Sequence, residues 1–260
     1  MDLQPDEDKD RNFITALARG LDVLRCFRPG EVELTNTDFA ERTGLPKPTV
    51  SRLTYTLCKL EYLVADQRTG TYRLGAGVLQ LGFGVLAGME IGDRAAEVLS
   101  DLRKGPNSYI TAALGERFRD KVIYIAVQSS VEDVSLTMRV GSRTPLFHSA
   151  IGRAILVGMP EEAREAAFAA AQREDPEGDG ARRAEFATAK AEYGALGFCT
   201  GYGSWRSDVN GIAVPVFALD GGPVYGLNVG GPSFHVKKKQ LETHYGPRLI
   251  EAGKRLSLRA

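Results

Sequence analysis

The sequence predicts an α+β protein built from two parts whose residue patterns differ. Residues 13–75 combine helix-compatible runs with two short β-prone runs, whereas the chain after Ser108 alternates strand-like and helix-like segments. Its 260 residues exceed one typical domain and suit two. We therefore expect a disordered, acidic tail over 1–12, a first domain over 13–75, a linker helix over 76–102 and a second domain over 103–260.

The first domain opens with two predicted helices. Residues 13–27 are amphipathic, with Leu17, Leu21 and Leu24 on one face. We expect that face to pack against the helices that follow. Residues 37–43 predict a second, shorter helix with its apolar side chains on one side.

A tight turn and a third helix complete a helix-turn-helix pattern. Gly44 allows a turn with positive φ, and Pro48 fits the first turn of the next helix, where its missing N–H costs little. Apolar residues at helical spacing predict one buried stripe: Val50, Leu53, Leu57 and Leu60. The other face carries hydroxyls, bases and one aromatic ring: Lys47, Thr49, Ser51, Arg52, Thr54 and Tyr55. Such side chains suit phosphates and base edges.

Two β-prone runs after these helices predict a hairpin. Tyr62–Val64 and Thr71–Leu74 flank the turn Asp66–Gly70. A helix-turn-helix pattern alone would fit an ordinary helical hairpin, but the added wing favours DNA as the partner. Between residues 42 and 73 the chain has six bases and two acids, although the whole chain has 33 of each. This local excess suits a salt-dependent grip on phosphates.

Six residues are the predicted DNA contacts: Lys47, Thr49, Ser51, Arg52, Tyr55 and Arg68. Arg52 is expected to contact guanine or clamp a phosphate, because a guanidinium can bind either bidentately. Thr49 and Ser51, near the helix start, should meet phosphates or base edges, and Lys47 a phosphate. Arg68 at the wing tip should contact the minor groove or the backbone. For Tyr55 the alternative is a solvated position beyond the groove.

Other chemistries find little support in the sequence. No apolar run reaches the roughly 20 residues that span a bilayer, and the scattered cysteines suit buried thiols in a reducing cytoplasm. His148 lies beside Ser149 without a nucleophile elbow or a suitably spaced carboxylate, and the glycines after residue 75 form no phosphate-binding loop. His235 and His244 lack accompanying metal ligands. We therefore expect no catalytic residues, no metal and no cofactor.

The second domain predicts an antiparallel or mixed sheet with helices. Strands are expected over 109–114, 122–127, 134–140, 197–205, 211–219 and 224–229. Helices are expected at the end of 145–157 and over 161–172, 182–196 and 235–258. Strands, helices, strands and a closing helix are typical of an α+β sensor domain.

Six segments together resemble the IclR-type (isocitrate lyase regulator) family of bacterial transcriptional regulators. They are ALARGLDVLRCF (16–27), TDFAERTGLPKPTVSRLTYTL (37–57), YRLGAGVLQLG (72–82), RVGSRTPLFHSAIGRAIL (139–156), GIAVPVF (211–217) and GLNVGGP (226–232). Their order and spacing are specific, whereas any one alone would be weak. The resemblance implies that the second domain is a GAF-like effector-binding domain. It also implies a homodimer or dimer of dimers that binds a palindromic operator and responds to a small molecule.

The resemblance also implies an effector pocket. Its predicted residues are Phe147, Ala150, Ile151, Tyr202, Gly203, Trp205, Gly211, Asn228 and Gly230. Relatives often carry small hydroxyl or thiol residues where this chain has Gly211, Asn228 and Gly230. Because that change opens volume beside aromatic walls, our hypothesis is a larger acid, with aromatic acids among the candidates, rather than a two- or three-carbon acid. Arg153 either lies on the helix surface or balances an anionic effector, and we favour the surface.

The expected function is a ligand-responsive DNA-binding regulator, with repression favoured over activation. Two alternatives stay open. One is a constitutive DNA-binding protein with a vestigial sensor. The other is a metabolite-binding enzyme whose first domain serves only assembly.

Overall fold

The computed structural model describes residues 12–28, 30–87, 90–132, 138–218 and 222–257, in two compact units, 1–88 and 89–260. The tail expected over 1–12 lies outside the described residues except for its last residue.

The first unit contains three helices, a small sheet and a fourth helix. The helices are α1 (Thr15–Arg25), α2 (Asn36–Thr43), α3 (Lys47–Lys59) and α4 (Ala76–Ala87), and the strands are β1 (Leu34–Thr35), β2 (Leu63–Asp66) and β3 (Thr71–Leu74). The strand order is β1–β3–β2, antiparallel throughout. The wing hairpin is thus present, with a short third strand that lies just before α2.

Local sequence explains where the helices of this unit begin and end. The Thr35 side chain accepts a hydrogen bond from the Asp38 N–H, and the Asp38 carboxylate accepts one from the Thr35 N–H. This capping box starts α2, and Gly44 ends it with φ of 70°. Pro48 occupies the first turn of α3, as expected.

The core of this unit differs from the predicted faces in two places. Val23 of α1 is buried, whereas Leu17 and Leu21 are 61% and 41% exposed, so of the predicted leucine face only Leu24 packs against the core. On α3, Leu60 is 59% exposed because it follows the last helical residue, whereas Thr54, expected on the outer face, is fully buried. The true inward stripe of α3 is therefore Val50, Thr54 and Leu57.

The second unit is a six-stranded antiparallel sheet covered by helices. Its elements are α5 (Glu90–Arg103), β4 (Thr111–Phe118), β5 (Lys121–Gln128), β6 (Arg143–Pro145), α6 (Ala150–Gly158), α7 (Glu161–Glu174), α8 (Asp179–Leu196), β7 (Cys199–Tyr202), β8 (Val209–Phe217), β9 (Val224–Pro232), α9 (Lys238–Gln240), a π-helical turn (Leu241–Tyr245) and α10 (Gly246–Ser257). The strand order is β6–β5–β4–β9–β8–β7.

Each face of this sheet has its own apolar core. Helices α5 and α10 pack on one face, where Leu114, Val214 and Leu227 are buried. Helices α6, α7 and α8 pack on the other face, where β4 and β8 contribute the small residues Ala113 and Ala213. This division follows the alternation of side chains along a strand. The small residues allow α6 to lie close to the sheet.

The α+β fold with an N-terminal helix-turn-helix is confirmed, but two predicted elements differ. The helix expected over 76–102 is helical in both of its described parts, α4 and α5, and α5 contributes Val98 and Leu99 to the core of the second unit. The strand expected over 134–140 lies mostly outside the described residues, and its described end, 138–140, is not a strand. The closing helix starts at Lys238 and contains a π-helical turn.

No helix within the described ranges is long and apolar enough to cross a membrane. In the same part of the chain, no three His, Cys, Asp or Glu side chains are grouped to hold a metal ion.

Candidate nucleic-acid interface and ligand cavity

One face of α3 carries the polar side chains that could reach a DNA groove. Lys47, Ser51, Tyr55 and Lys59 are exposed at four-residue intervals, and Arg52 is exposed beside them. The Tyr55 side chain is 65% exposed, and the Lys59 ammonium lies 5.6 Å from the centre of its ring. The outward face is therefore a row of donors, cations and one aromatic ring, a composition suited to phosphates and base edges.

A partly buried chain of two hydrogen bonds connects α3 to the wing. The Thr54 hydroxyl donates to Asn36 Oδ1 at 3.2 Å, and Asn36 Nδ2 donates to the Tyr72 hydroxyl at 3.3 Å. Thr54 belongs to α3, Asn36 begins α2, and Tyr72 lies on β3. One amide thus links the three elements that a winged helix presents to DNA.

The wing places Arg68 at its exposed tip. Asp66 Oδ1 accepts hydrogen bonds from the backbone N–H groups of Arg68 and Thr69, at 2.8 and 3.4 Å. Gly70 closes the turn with φ of 69°, a conformation that favours glycine. The Arg68 backbone is thus held while its side chain projects into solvent.

The positive charge available to DNA is smaller than the count of six bases over residues 42–73, because Arg42 forms an ion pair inside the first unit. Its guanidinium pairs with the Glu31 carboxylate at 2.5 Å and donates to the Cys26 carbonyl at 2.8 Å. This bond from Arg42 holds the pKa of Glu31 below its ordinary value. Arg42 therefore joins α2 to the segment after α1 rather than facing DNA.

Five of the six predicted DNA contacts are exposed in the structure: Lys47, Ser51, Arg52, Tyr55 and Arg68. Thr49 is half-buried in the first turn of α3. The sequence did not single out Lys59, whose position in the row follows from the same four-residue spacing. The role of each residue in DNA binding remains a prediction.

The floor of a cavity in the second unit is a row of glycines in register across three strands. Gly201 on β7 pairs with Gly211 on β8, which pairs with Gly230 on β9. All three line the cavity. Because side chains alternate between the two faces of a sheet, three adjacent glycines leave one patch of this face bare. The bare patch creates the space that a ligand would need.

The start of α6 forms one wall of the cavity. Ser149 caps this helix: its hydroxyl accepts from the Gly152 N–H at 3.1 Å and donates to the Pro145 carbonyl at 2.6 Å. The N–H groups of Ala150 and Ile151 have no partner inside the helix, as in any first turn. A side chain at Gly201 would come within 2.8 Å of the Ala150 nitrogen, so glycine is needed there to keep that N–H accessible.

Three polar side chains lie together beyond the glycine row. Burial raises the pKa of the Tyr124 hydroxyl, and the nearby Asn228 and Thr144 side chains partly oppose that rise. Asn228 Oδ1 and the Thr144 hydroxyl are buried without a well-formed hydrogen bond. Asn228 is 7% exposed and lines the cavity together with Tyr124. A buried acceptor that lacks a donor is costly, so this end of the cavity favours a polar guest.

The cavity narrows sharply from its mouth to its centre. Ten of its twelve lining residues are buried, and the half-exposed pair, Met138 and Trp205, must therefore border the mouth. The recess encloses about 360 Å³ with its mouth included, but its enclosed centre offers only about 20 Å³, room for about one water molecule. A ring-sized ligand would enter only if Trp205 or Met138 turned aside.

Six of the nine residues predicted for the effector pocket line this cavity: Ala150, Ile151, Trp205, Gly211, Asn228 and Gly230. The other three do not. The Phe147 ring packs 5.1 Å from that of Phe168. The Tyr202 hydroxyl donates to Glu242 at 2.9 Å, and Gly203 forms the turn after β7 with φ of 72°. Side-chain direction, which sequence proximity does not reveal, separates Phe147 and Tyr202 from the cavity, and Gly203 lies in the turn beyond the strand.

Five lining residues were missed by the sequence prediction: Tyr124, Met138, Ser149, Val209 and Asn210. For two of these five residues, the sequence contained a feature that could have predicted them. Tyr124 places a hydroxyl in an otherwise apolar central strand, and Ser149 is a helix-capping residue type directly before α6. The other three reach the cavity only through the fold.

The surface position that the sequence analysis favoured for Arg153 is wrong. It is 9% exposed, donates to the Thr200 carbonyl at 3.1 Å, and pairs with Glu185 at 2.9 Å. Glu185 also meets His148 Nδ1 at 2.9 Å. Arg153 does not line the cavity, so it supports the helix that forms the wall rather than facing a ligand.

Comparison with known protein families explains this pairing of a DNA-binding surface with a cavity. The IclR helix-turn-helix domain matches residues 16–67, and the C-terminal domain of the bacterial transcriptional regulator IclR matches residues 83–258. The chain belongs to the IclR family of bacterial transcriptional regulators. Together the two matches cover nearly all of the described chain, including the α3 face and the cavity.

Named members of the IclR family are similar along most of their length. The HTH-type transcriptional regulator TsaQ1/TsaQ2 of Comamonas testosteroni is 32% identical over 94% of this chain and 87% of its own. The Pca regulon regulatory protein of Pseudomonas putida is 29% identical over 95% of this chain and 84% of its own. These relatives are regulators rather than enzymes.

Solved IclR-family structures share the fold. The IclR family transcriptional regulator from Brucella abortus is 38% identical, with a TM-score of 0.83 over 98% of this chain and 96% of its own. An IclR homologue from Microbacterium hydrocarbonoxydans, solved in complex with 4-hydroxybenzoate, is 22% identical, with a TM-score of 0.70 over 93% of this chain and 97% of its own. At that identity the likeness shows the fold alone.

Proposed function

We propose that this IclR-family protein is a ligand-responsive repressor whose dimer binds a palindromic operator through α3 and the wing. The cavity of the second unit binds a small organic acid with an aromatic ring, and binding changes the affinity for the operator. The proposed domain arrangement is a winged helix-turn-helix over 13–75, a connecting segment over 76–102 and an effector domain over 103–260.

The observation that carries the ligand proposal is the glycine row beside the start of α6. A helix start attracts anions because its first N–H groups are unpaired and its dipole is positive there. Within the described part of the chain, the residues that line the cavity include no lysine or arginine, so these N–H groups supply the charge complement for a carboxylate. The Asn228 Oδ1 atom, buried without a well-formed hydrogen bond beside the Tyr124 hydroxyl, is a second polar feature of the same cavity.

The remaining walls favour an aromatic ring. Tyr124, Trp205, Ile151, Val209 and Met138 supply flat or apolar surface. The enclosed centre of about 20 Å³ is far smaller than ordinary ligand pockets of roughly 300 to 1,000 Å³, so a ligand requires Trp205 or Met138 to turn aside. A single ring with one carboxylate needs a smaller rearrangement than a polycyclic acid. The aromatic acid bound by the Microbacterium homologue is consistent with this class.

The proposed dimer rests on exposed apolar faces of the first unit. Leu79 and Phe83 of α4 are 75% and 68% exposed at i and i+4, and Ile14, Leu17 and Leu21 form an exposed row on α1. Exposed apolar surface of this extent is typical of protein–protein interfaces. A dimer would present two α3 helices, which a palindromic operator requires about one DNA turn apart.

The regulatory step is a shift in population. An acid that binds one arrangement of the dimer better than another can move the equilibrium only by that difference in affinity. Repression or release then depends on which arrangement matches the operator.

A gel shift on DNA upstream of the protein's own gene, with and without a panel of monocyclic aromatic acids, tests the proposal. We expect a salt-sensitive specific shift that one class of acid alters. Two variants serve as matched controls: Arg52→Ala should lose the shift, and Gly211→Ala should keep it but lose the acid response. A shift that no acid changes, together with an unchanged melting temperature across the panel, would favour the constitutive DNA-binding alternative. Turnover of an acid without DNA would favour the enzyme alternative.

A further inference from the structure

We infer that residues 203–208 form a strap over the mouth of the cavity, and that the hydrogen bond from Ser204 to the His148 carbonyl latches it. The strap joins β7 to β8 and carries Trp205, which borders the mouth. Molecules then enter and leave the cavity only while the latch is broken. This consequence for a ligand rests on the proposed function, whereas the latch itself requires no particular ligand.

The second half of the strap is anchored to the sheet. The Val209 N–H donates to the Arg206 carbonyl at 3.1 Å, which closes a turn. The Arg206 guanidinium pairs with the Asp208 carboxylate at 2.6 Å, and the Asp208 carbonyl accepts from the Ser233 N–H at 2.8 Å. This half therefore keeps its place beside β8 and β9.

The first half of the strap depends on the Ser204 hydroxyl. Within the described residues, the backbones of Ser204 and Trp205 form no hydrogen bond, and the Ser204 hydroxyl donates to the His148 carbonyl at 2.7 Å. Gly203, directly before them, has φ of 72°, in the left-handed region that favours glycine. The latch thus holds Trp205 at the mouth, and Gly203 is the point about which this half can turn.

The acceptor of the latch belongs to a fixed part of the second unit. His148 directly precedes Ser149, the cap of α6, and its Nδ1 lies 2.9 Å from Glu185 on α8. Glu185 also pairs with the buried Arg153 at 2.9 Å. Because the start of α6 is a wall of the cavity, the latch joins the strap to that wall. When the bond breaks, the strap moves and the wall stays.

The latch is weak enough to open in solution. Ser204 is exposed, so water replaces the carbonyl as its partner when the bond breaks. A single hydrogen bond of this kind shifts an equilibrium by roughly two- to tenfold, and lid motions take microseconds to milliseconds. Brief openings from a closed state explain how a ligand could reach an enclosed centre of only about 20 Å³.

Fluorine NMR tests the latch without a ligand. Trp205 is the only tryptophan of the chain, so labelling with fluorotryptophan gives one signal that reports the strap. We expect Ser204→Ala to raise the open population roughly two- to tenfold. Ser204→Thr keeps the hydroxyl and should resemble the wild type. Ser207→Ala is the matched control, because Ser207 is exposed in the same strap and only its backbone carbonyl accepts a bond.

Hydrogen exchange measures access to the cavity in the same proteins. Ala150 and Ile151 line the cavity, and their N–H groups have no partner inside the helix. Their exchange therefore depends on the entry of water rather than on unwinding of α6. We expect these two amides to exchange faster in Ser204→Ala by the same factor as the open population, and at the wild-type rate in Ser207→Ala.

Stopped-flow mixing with benzoate connects the latch to ligand entry. We expect the association and dissociation rate constants both to rise in Ser204→Ala, because the ligand passes the strap in both directions. Identical fluorine signals in Ser204→Ala and Ser207→Ala overturn the latch. A changed signal with unchanged amide exchange, or with unchanged benzoate rates, overturns the closing role of the strap. If benzoate does not bind, the proposed acid class fails, whereas the fluorine and exchange measurements still decide this inference.

Discussion

The hydroxyl of Thr54, fully buried on α3, donates to the side-chain carbonyl of Asn36 at the start of α2, 3.2 Å away. The same amide donates to the Tyr72 hydroxyl on the wing strand. The surface that we propose binds DNA is thus held by a polar contact on its inner side, which fixes the angle between α3 and the wing.

Thr54→Val should weaken operator binding although Thr54 does not face the groove. Valine keeps the shape but removes the hydroxyl proton that Asn36 Oδ1, at 3.2 Å, shares with the Ser51 carbonyl, at 3.1 Å, and this loss should lower the free energy of unfolding by roughly 1–3 kcal/mol. Thr56→Val is the matched control, because Thr56 is exposed on the same helix and its hydroxyl bonds only the Arg52 carbonyl. Footprinting of the wing and denaturant unfolding measure the two effects. Equal operator affinity of the two variants would contradict the positioning role.

Arg52→Ala and Lys47→Ala should weaken DNA binding in different ways. Loss of a base contact by Arg52 should reduce discrimination between correct and mutated operators by roughly 1–3 kcal/mol. Loss of a phosphate contact by Lys47 should weaken all sequences alike and reduce the salt slope by about one. Fluorescence anisotropy at several salt concentrations separates them. Lys190→Ala, an exposed lysine on α8, should change neither quantity.

Substitutions in the cavity should act on the acid response without altering operator binding. Gly211→Ala adds a methyl to the floor, where the nearest atom is the Val229 carbonyl oxygen at 3.3 Å, so the strand should accommodate it while the ligand loses space. Trp205→Ala should instead widen the mouth and speed acid association. Stopped-flow fluorescence with a chromophoric acid and gel shifts measure these effects. An unchanged acid response in Gly211→Ala would place the ligand elsewhere.

Phe83→Glu should dissociate the proposed dimer. A charge in the middle of an apolar interface leaves an unpaired buried group, which is strongly unfavourable. Light scattering after gel filtration should then give about half the wild-type mass at low micromolar concentration. Gln80→Glu adds the same charge at an exposed polar position on α4 and should leave the mass unchanged. If light scattering shows that the wild-type protein is already a monomer, the proposed dimer, and this prediction with it, is wrong.

The Arg42–Glu31 pair should make the first unit less stable in acid. Arg42 holds the pKa of Glu31 below its ordinary value of about 4.5, so the stabilisation is complete above that value and declines as the pH falls through the lowered pKa. Glu31→Gln should remove this part of the pH dependence and leave the melting temperature at pH 3 closer to that of the wild type than at pH 7. Thermal melts at both values measure it. If the melting temperatures of the variant and the wild type differ by the same amount at both pH values, the Arg42–Glu31 pair does not cause the pH dependence.

The sequence by itself determined the elements whose signals are local. Gly44 and Pro48 mark the turn and the start of α3 because φ restrictions act on single residues, and the hairpin follows from two β-prone runs around a glycine-containing turn. Hydrophobic spacing likewise predicted the strands β5 and β8 and the helices α7 and α8 nearly to their ends. Six pocket residues followed from the family resemblance.

Only the tertiary structure decided which faces are used. Leu17 and Leu21 share a face with helical spacing, yet α1 buries Val23 instead, because amphipathic spacing does not distinguish a core face from a partner face. Phe147 and Tyr202 are close in sequence to cavity residues but point elsewhere. The glycine row across β7, β8 and β9 and the position of Asn228 beside it depend on strand register, which brings Gly201 and Gly230, 29 positions apart, into one row. Register is set by long-range pairing, so no local pattern contains it.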